Sequence, residues 1–355
     1  MLRNRIFYTF KPLIPRPAQI FIRRQIAAYK RKKFASIWPI DPSSNKPPKD
    51  WQGWPDGKKF AVVLSHDVDT QKGHDRVHRL AEIEMAKGFR SSFNFVPERY
   101  TVSQSLLEDL RNKGFQLCVH GLNHDGKLFM SKKIFNQRAV RINDYLNNWQ
   151  AEGFTSPSMH HNQEWLHDLR ITHSISTFDT DPFEPQPDAA ATVFPYWVEN
   201  GSKPEGYLEI PYTLPQDHLL YVILRERNIN IWKQKLDWIF QNGGMVLLNT
   251  HSDYMGFDPG VLGSEEYPVD YYSDLLEHIQ KNYKDQYWHA LPRDLARFWQ
   301  TYNKAGDRHQ PSDDRRQKSA DRRRVSSDRR QVSSDRRQVS GDRRQVKGDR
   351  RRGKR

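Results

Sequence analysis

The chain has 355 residues, of which 36% are hydrophobic and 12% aromatic, enough for the core of one large domain or two ordinary ones. Its single cysteine, Cys118, excludes an internal disulfide and suits a reducing compartment. No run of about 18 apolar residues occurs, so the sequence predicts no membrane-spanning helix.

The net charge of +14 is concentrated at the two ends of the chain. Residues 1–35 contain ten Lys or Arg and no acidic residue, and residues 311–355 contain 18 Lys or Arg and seven Asp. Residues 36–310 are mildly acidic, with 29 basic and 36 acidic residues. We therefore expect the ends, rather than the folded body, to contact anionic surfaces such as phospholipid headgroups.

Residues 1–57 are predicted to form a basic N-terminal arm and a Pro- and Gly-rich lead-in. A basic amphipathic helix after Pro17 would carry apolar side chains among Arg and Lys, namely Ile20, Ile22, Ile26 and Tyr29. Docking on a membrane surface and simple packing on the body both remain open for it. Because Arg, Lys and Pro interrupt its apolar residues, the segment does not resemble a secretory signal. We expect a cytoplasmic protein, either free or peripheral to the inner face of the membrane.

Residues 306–355 form a tail with an internal repeat. The tripeptide Asp-Arg-Arg occurs six times at a strict period of seven, beginning at Asp314, Asp321, Asp328, Asp335, Asp342 and Asp349. Each unit offers at most one Val, which cannot build the apolar seam of a coiled coil, so the tail is predicted to be disordered. It lacks the interleaved aromatic residues of nucleic-acid modules, so nucleic acid is not expected as the primary partner.

Residues 58–305 are predicted to form one catalytic domain in which strands and helices alternate. Strand-like runs occur, in chain order, at FAVVLS, SSFNFV, FQLCVH, near Gly153, HSISTF, YLEIPY, MVLLNTH and QYWHAL. Helical stretches separate most of them, the longest from about Ser131 to Trp149. This alternation predicts an α/β fold with a mostly parallel sheet, in which chemistry gathers at the carboxyl ends of the strands.

Polar residues that can bind a metal follow several of these strands. Asp67 and Asp69 come at the end of FAVVLS, His120 ends FQLCVH, Asp179 follows SISTF, and His251 ends MVLLNTH. Because side chains alternate along a strand, Asp67 and Asp69 point to the same face, where one could ligate a metal and the other accept a proton. Capping of the following helix is the structural alternative for this pair.

Two histidine pairs have the spacing of a metal site. His120 and His124, four apart on a predicted helical turn, would share one face and could bind one cation with a carboxylate from another strand. His74 and His78 have the same spacing, but Arg76 and other charged neighbours favour a solvated helix.

The sequence contains the motifs SHDVD, HGLNH, SPSMHHN, FDTDPF and LLNTH. In this order and spacing they resemble those of the polysaccharide deacetylase family with the NodB homology domain, in particular its Asp-x-Asp branch. The resemblance covers residues 58–299 and implies a distorted (β/α) barrel. It also implies a metal-dependent hydrolase that removes N-acetyl or sometimes O-acetyl groups from a carbohydrate, such as a glycan or glycan precursor.

The same resemblance implies roles for individual residues. Asp67 would be the catalytic base, and Asp69, His120 and His124 would hold a divalent metal, most readily Zn²⁺. His251 would protonate the departing amine, as amide hydrolysis requires.

Further roles come from the same comparison of motifs. Asp179 would tune His251, and the backbone N–H near Ser158, after Pro157, would help to stabilise the oxyanion. Apart from the resemblance, His161 and Tyr212 are candidate contacts for the sugar as a histidine and an aromatic residue, although loop packing and a place in the core are the structural alternatives.

One position departs from the family pattern. Thr155 stands where the family usually has an arginine that holds the catalytic aspartate ionised, and Arg90 is a candidate to replace that charge. The departure favours one alternative, a sugar-binding barrel with impaired catalysis. A related amidase acting on a small non-sugar amide is a second alternative, because the substrate loops carry no motif that separates the two substrates.

Overall fold

The computed structural model describes residues 14–201, 203–258 and 260–308. The strands are β1 (Phe60–Val68), β2 (Ser92–Phe95), β3 (Gln116–His120), β4 (Gly153–Thr155), β5 (His173–Ile175), β6 (Tyr196–Asn200), β7 (Lys203–Glu209), β8 (Met245–His251), β9 (Met255–Gly256), β10 (Tyr267–Pro268) and β11 (Tyr287–His289). The tail that the sequence predicts to be disordered lies outside the described residues from residue 309 onward.

Helices separate most of the strands, as the sequence predicts. They are α1 (Arg16–Lys33), α2 (Gln71–Ala86), α3 (Gln104–Asn112), α4 (Lys132–Asn148), α5 (Gln163–Leu166), α6 (Asn230–Asn242), α7 (Asp270–Asn282) and α8 (Pro292–Arg308). A short π-helix, His218–Ile223, lies between β7 and α6 and has no counterpart in the sequence prediction.

Strand β1 pairs with three other strands of a nine-stranded sheet. It pairs with β8 along one edge and with β2 and β11 along the other, and the sheet continues from β2 through β3, β4, β5 and β7 to β6. Every pair in this sheet is parallel except β6 with β7, which is antiparallel. The sequence did not predict β6.

The curled sheet closes through an irregular segment rather than through a regular strand pair. The backbone N–H groups of Thr213 and Leu214 both donate to the carbonyl of Leu247 in β8, at 3.0 and 3.1 Å. The backbone N–H of Leu247 donates back to the Thr213 hydroxyl at 2.9 Å. The sheet is therefore a distorted (β/α) barrel, as expected from the sequence.

Strands β1 and β8 are buried on both faces, which explains their nearly continuous apolar sequences. All nine residues of β1 and all seven residues of β8 are buried. The apolar residues Phe60–Leu64 begin β1, and its polar residues come at the carboxyl end. Because buried polar side chains require partners, this end of the strand is where the structure must supply them.

Helix α1 packs against the body through one face. Ile20 and Ala27 are buried, Arg24 donates to the carbonyl of Val222 in the π-helix, and Lys30 donates to the carbonyl of Pro182. None of the described helices combines the length and the apolar composition needed to cross a membrane.

Candidate active site

The candidate site lies at the carboxyl ends of β1, β2 and β8. Strand register pairs Asp67 with His251 on one neighbour and with Asn94 on the other. Because β1 pairs with both strands, the three side chains are brought together although they are distant in the sequence.

Asp69, His120 and His124 form a cluster with the composition of a metal site. The Asp69 Oδ1 atom lies 3.3 Å from His120 Nε2 and 3.2 Å from His124 Nε2. One ligand atom from each residue lies within 4.8 Å of the other two. It is the only such group of three among the described ranges 14–201, 203–258 and 260–308.

The hydrogen bonds of His120 orient its ring toward this cluster. Its Nδ1 atom lies 3.2 Å from the carbonyl oxygen of Thr155 and 2.6 Å from the Thr155 hydroxyl. A carbonyl can only accept, so Nδ1 carries the hydrogen, and in the neutral ring Nε2 has a free lone pair. That lone pair faces Asp69 Oδ1.

These contacts fit a bound cation. Asp69 Oδ1 is buried and has no hydrogen-bond partner within the described residues, and it faces imidazole nitrogens that can offer lone pairs. Such a juxtaposition of acceptors is costly when buried unless a proton or a cation lies among them. One carboxylate and two imidazoles leave coordination positions open, as catalytic zinc sites do.

The pKa values of Asp69 and His120 are shifted by the attraction between the carboxylates and the imidazole rings of the site. Burial opposes ionisation of Asp69, but the attraction of the closely placed rings of His124 and His120 outweighs it and holds the pKa of Asp69 well below its ordinary value. Burial also opposes protonation of His120, but Asp67 and Asp69 raise the pKa of that ring. The site therefore favours an ionised Asp69 and stabilises positive charge beside it.

The two histidines lie in a strand and a loop, so the expectation of a shared helical turn was wrong. His120 ends β3, and the chain then turns at Gly121 and reaches His124 with positive φ angles of 62° and 51° at these two residues. A Cβ atom at Gly121 would lie 2.3 Å from the Cγ of Pro157. Glycine is therefore needed for both the backbone conformation and the close approach of the Pro157 loop.

Asp67 is held by neutral side chains. Asn94 Nδ2 donates to Asp67 Oδ1 and Asn249 Nδ2 donates to Asp67 Oδ2, both at 2.8 Å. The Thr155 hydroxyl lies 3.4 Å from Asp67 Oδ1. Arg90 does not replace the missing arginine, because its guanidinium donates to the carbonyls of Phe89 and Lys113.

His251 forms its hydrogen bond with Asp217, which the sequence analysis missed. His251 Nδ1 lies 2.8 Å from Asp217 Oδ1, and the His251 backbone N–H donates to Asp217 Oδ2 at 2.8 Å. The hydroxyl of Tyr267 also donates to Asp217. Burial opposes protonation of the ring, but the charge and hydrogen bond of Asp217 raise the pKa of His251 to about 10. His251 Nε2 lies 3.9 Å from Asp67 Oδ2.

Asp179, the residue expected to tune His251, has a different partner. Its carboxylate lies 2.5 Å from the Nζ atom of Lys235, and both side chains are buried. The chain after β5 directs Asp179 toward α6, whereas Asp217 lies at the start of the π-helix beside β8. The contact with His251 thus belongs to Asp217.

The four residues predicted to contact substrate lie in different surroundings. Pro157 is buried against the turn at Gly121, and Ser158, with φ 55°, is exposed at the neighbouring position. His161 is buried, with its ring nitrogens near the Met159 carbonyl and the Asp188 carboxylate. Tyr212 is fully buried and its hydroxyl donates to Glu184, so its ring has no free face for a sugar.

A further carboxylate supports the backbone of the cluster. Asp253 Oδ2 accepts from the backbone N–H of Asp69 at 2.9 Å, and its other oxygen accepts from the Thr70 hydroxyl. A Cβ atom at Gly73 would lie 2.2 Å from Asp253 Oδ2, so the glycine allows α2 to approach this carboxylate.

Some of the missed residues carried a detectable signal. Asn249 lies two positions before His251 on β8, so strand alternation places both side chains on one face. Asn94 lies in the strand-like run SSFNFV, and the pairing of β2 with β1 could have directed attention to it. Asp253 lies two positions after the end of β8, so its place beyond a strand end was a signal, whereas Asp217 had none.

Comparison with solved structures identifies proteins with the same fold. A Mycobacterium smegmatis protein assigned as a polysaccharide deacetylase is 16% identical, with a TM-score of 0.57, over 73% of this chain and 96% of its own. Puue allantoinase is 15% identical, with a TM-score of 0.56, over 74% of this chain and 98% of its own. A Pseudomonas aeruginosa PAO1 protein, also assigned as a polysaccharide deacetylase, is 15% identical, with a TM-score of 0.55, over 74% and 98%.

No family model matches the chain, and no curated protein matches it. At these identities the structural likeness shows a shared fold, the barrel of the polysaccharide deacetylase type. The activity has to be argued from the residues of the site.

Removing one imidazole of the cluster should abolish tight metal binding. We expect His124→Ala to weaken Zn²⁺ binding by more than the about 10–100-fold that loss of a supporting hydrogen bond costs, because a direct ligand is removed. Equilibrium dialysis of metal-free protein measures the affinity. His78→Ala, at an exposed histidine, is the control and should bind like the wild type. Unchanged affinity in His124→Ala would exclude the cluster as the metal site.

Lys235→Met should destabilise the fold because it leaves the buried carboxylate of Asp179 without its cation. The expected loss in the free energy of unfolding is about 3–5 kcal/mol. Urea denaturation measures it, with Lys281→Met as the control, since that lysine is 76% exposed in its pair with Glu277. Adding Asp179→Asn to Lys235→Met should restore part of the loss. A loss in Lys235→Met no larger than in the control contradicts this account of the pair.

Proposed function

We propose that this protein is a metal-dependent hydrolase that removes an acetyl group from a carbohydrate. The observation that carries the proposal is the position of Asp67 and His251, whose reactive atoms lie 3.9 Å apart beside the cluster of Asp69, His120 and His124. A proton acceptor and a proton donor beside a metal-binding cluster are the groups that amide hydrolysis requires.

Asp67 is placed to act as the general base. Both of its oxygens accept hydrogen bonds from amides, which orient the carboxylate without adding a positive charge to it. A carboxylate oriented in this way can serve as the proton acceptor in general base catalysis. It can therefore accept a proton from an attacking water at the site.

His251 is placed to act as the general acid. Asp217 fixes the hydrogen on Nδ1 and raises the pKa of the ring, so Nε2 also carries a proton at neutral pH. Nε2 is the ring atom nearest Asp67, on the side of the site, and it can donate its proton to a leaving amine. Protonation is needed because an unprotonated amine is a poor leaving group.

Asp69, His120 and His124 would hold the divalent metal, for which Zn²⁺ suits the mixed nitrogen and oxygen donors. When bound, such an ion polarises the acyl carbonyl and lowers the pKa of a coordinated water. His120 is held ready for this role by Thr155, which fixes the hydrogen on Nδ1.

A carbohydrate carrying N-acetyl or O-acetyl groups, such as a glycan or a glycan precursor, is the substrate class that we propose. Two of the structures with the same fold are assigned as polysaccharide deacetylases, which supports this class. The likeness to an allantoinase favours a second candidate, hydrolysis of a small cyclic non-sugar amide by the same residues.

The amides that bind Asp67 argue against the alternative of a barrel that binds sugar without hydrolysing it. The absence of an arginine at Thr155 favours that alternative, but Asn94 and Asn249 supply the hydrogen bonds that keep the carboxylate in place. We therefore propose that the site retains catalysis.

Asp67→Asn should lower kcat/KM by about 10²–10⁴-fold because the base is lost, while metal content stays unchanged. Acetate release from a panel of N-acetylated and O-acetylated sugars, compared with hydrolysis of cyclic ureides, measures activity and separates the two candidate substrates. Asp75→Asn makes the same chemical change at an exposed position and should be silent. A wild-type protein that binds metal but hydrolyses no member of either panel would refute the proposed activity.

Asp217→Asn should move the alkaline limb of the pH–rate profile toward lower pH. The acid form of His251 persists up to a pKa of about 10 because of Asp217. Without that charge the pKa falls, by about 1–3 units, and the ring loses its proton earlier as pH rises. Asp179→Asn/Lys235→Met is the control, since it removes the Asp179 charge without leaving Lys235 as an unpaired buried charge, and it should leave the limb in place. The opposite pattern would return the tuning role to Asp179.

A further inference from the structure

We propose that α1 docks this protein on an anionic phospholipid surface by inserting an outward apolar stripe, defined as Phe21, Ile22, Ile26 and Tyr29. The sequence left two possibilities for this helix, packing on the body and membrane docking, and the structure assigns a different face to each. The proposal concerns binding and does not depend on the proposed hydrolase activity.

One face of α1 is already committed to the body. Ile20 and Ala27 are 5% and 4% exposed, and Arg24 and Lys30 donate to backbone carbonyls of the body. Arg16 and Arg31 pair with Glu265 and Glu226. These contacts fix the rotation of the helix about its axis, so the opposite face has a defined direction.

The outward stripe consists of large apolar side chains in water. Phe21 is 61% exposed, Ile22 and Ile26 are each 47% exposed, and Tyr29 is 66% exposed. Since successive residues of a helix are about 100° apart, the four side chains lie within an arc of about 140°, opposite Ile20 and Ala27. The exposed Gln25 falls within the same arc, as do Lys32 and Lys33 at the end of the helix. Four large apolar side chains exposed on one face of a helix indicate an interaction surface.

The charges around the stripe identify the partner. Helix α1 contains seven Lys or Arg and no acidic residue, and Lys32 and Lys33 are exposed at its end. Residues 1–13, which precede the described part of the chain, contribute Arg3, Arg5 and Lys11 and likewise no acid. Cations beside a stripe of Phe, Ile and Tyr are the composition of helices that lie in the interface of anionic bilayers.

Two other occupants fit less well. A second copy of the chain would place one cationic helix against another, and this like-charge repulsion opposes self-association. Nucleic acid would satisfy the charges but would leave the isoleucine side chains in water. An anionic membrane satisfies both the charge and the apolar stripe.

The position of α1 gives the docking a consequence for the candidate site. Arg16, at the start of the helix, lies beside Tyr254. The ring of Tyr254 lies 5.2 Å from the ring of His251. Only one side chain therefore separates the first turn of α1 from the candidate acid, and a docked helix holds the site close to the bilayer surface.

The first test uses a reporter on the stripe. Cys118 is the only cysteine and is buried, so Ile22→Cys in the full chain can be labelled selectively with an environment-sensitive fluorophore. Vesicles of phosphatidylcholine and phosphatidylglycerol in equal parts should shift its emission to the blue, and pure phosphatidylcholine vesicles should shift it less. Val140→Cys, which is 63% exposed on α4, is the matched control and should stay unshifted. Vesicle binding that leaves the Ile22→Cys label in water would overturn the proposal.

The second test separates the stripe from binding by charge alone, which the basic tail could supply. In vesicle sedimentation at elevated salt, the wild type should retain binding. The variant Phe21→Ser/Ile26→Ser should bind at least about tenfold more weakly, because two apolar side chains no longer insert. Val140→Ser is the control and should match the wild type. Equal binding of the double variant would refute docking through α1.

The competing occupants give distinct results in the same experiments. A blue shift of the Ile22→Cys label that grows with protein concentration in the absence of vesicles would identify a second copy of the chain as the partner. A shift induced by duplex DNA but not by vesicles would identify nucleic acid. Either result would overturn the membrane proposal.

Discussion

The candidate site depends on the burial of the Asp69 carboxylate against the imidazoles of His120 and His124. An ionised oxygen among lone pairs, away from water, is unfavourable unless a cation joins them. Much of the surrounding structure maintains this arrangement: Thr155 orients His120, the turn at Gly121 carries the chain to His124, and a carboxylate in the next loop binds the backbone of Asp69.

The carboxyl end of β1 carries the candidate base, Asp67, as well as leading to Asp69 of the cluster. An arginine beside a carboxylate keeps it ionised, but it also lowers its affinity for a proton. In this protein the amides of Asn94 and Asn249 donate to the two oxygens of Asp67, and no arginine contacts them. The pairing of β1 with β2 and β8 brings Asn94 and Asn249 to Asp67. The presence of amides in place of an arginine therefore depends on strand register rather than on a local motif.

The π-helix connects the candidate acid to the N-terminal helix. Asp217, which binds His251, immediately precedes this π-helix. Arg24 of α1 donates to the carbonyl of Val222 within it. Contacts between α1 and the body thus support the segment that positions the aspartate. Helix α1, which carries the membrane-docking surface that we propose, thus contacts the same π-helix that follows Asp217, the partner of the candidate acid.

The sequence predicted most of the alternating strands and helices and the strand ends at which polar residues gather, and the motifs that resemble a known family implied the barrel. These features depend on local hydrophobic patterning and on motifs, which are readable along the chain. The pairing of Asp67 with Asp69 on one face followed from strand alternation alone. His120, His124 and His251 were candidates from their positions at strand ends and from the spacing of the histidine pair, and the resemblance to a known family implied their roles.

Only the tertiary structure decided which distant side chains meet. Asp179 follows β5 and Asp217 follows β7 in the chain, and both are buried, but packing directs one to Lys235 and the other to His251. No local pattern distinguishes them, because the choice depends on how α6 and the π-helix pack on the barrel. The two faces of α1 were likewise separated by its contacts with the body, since periodicity shows that a helix has two faces but not which face is covered.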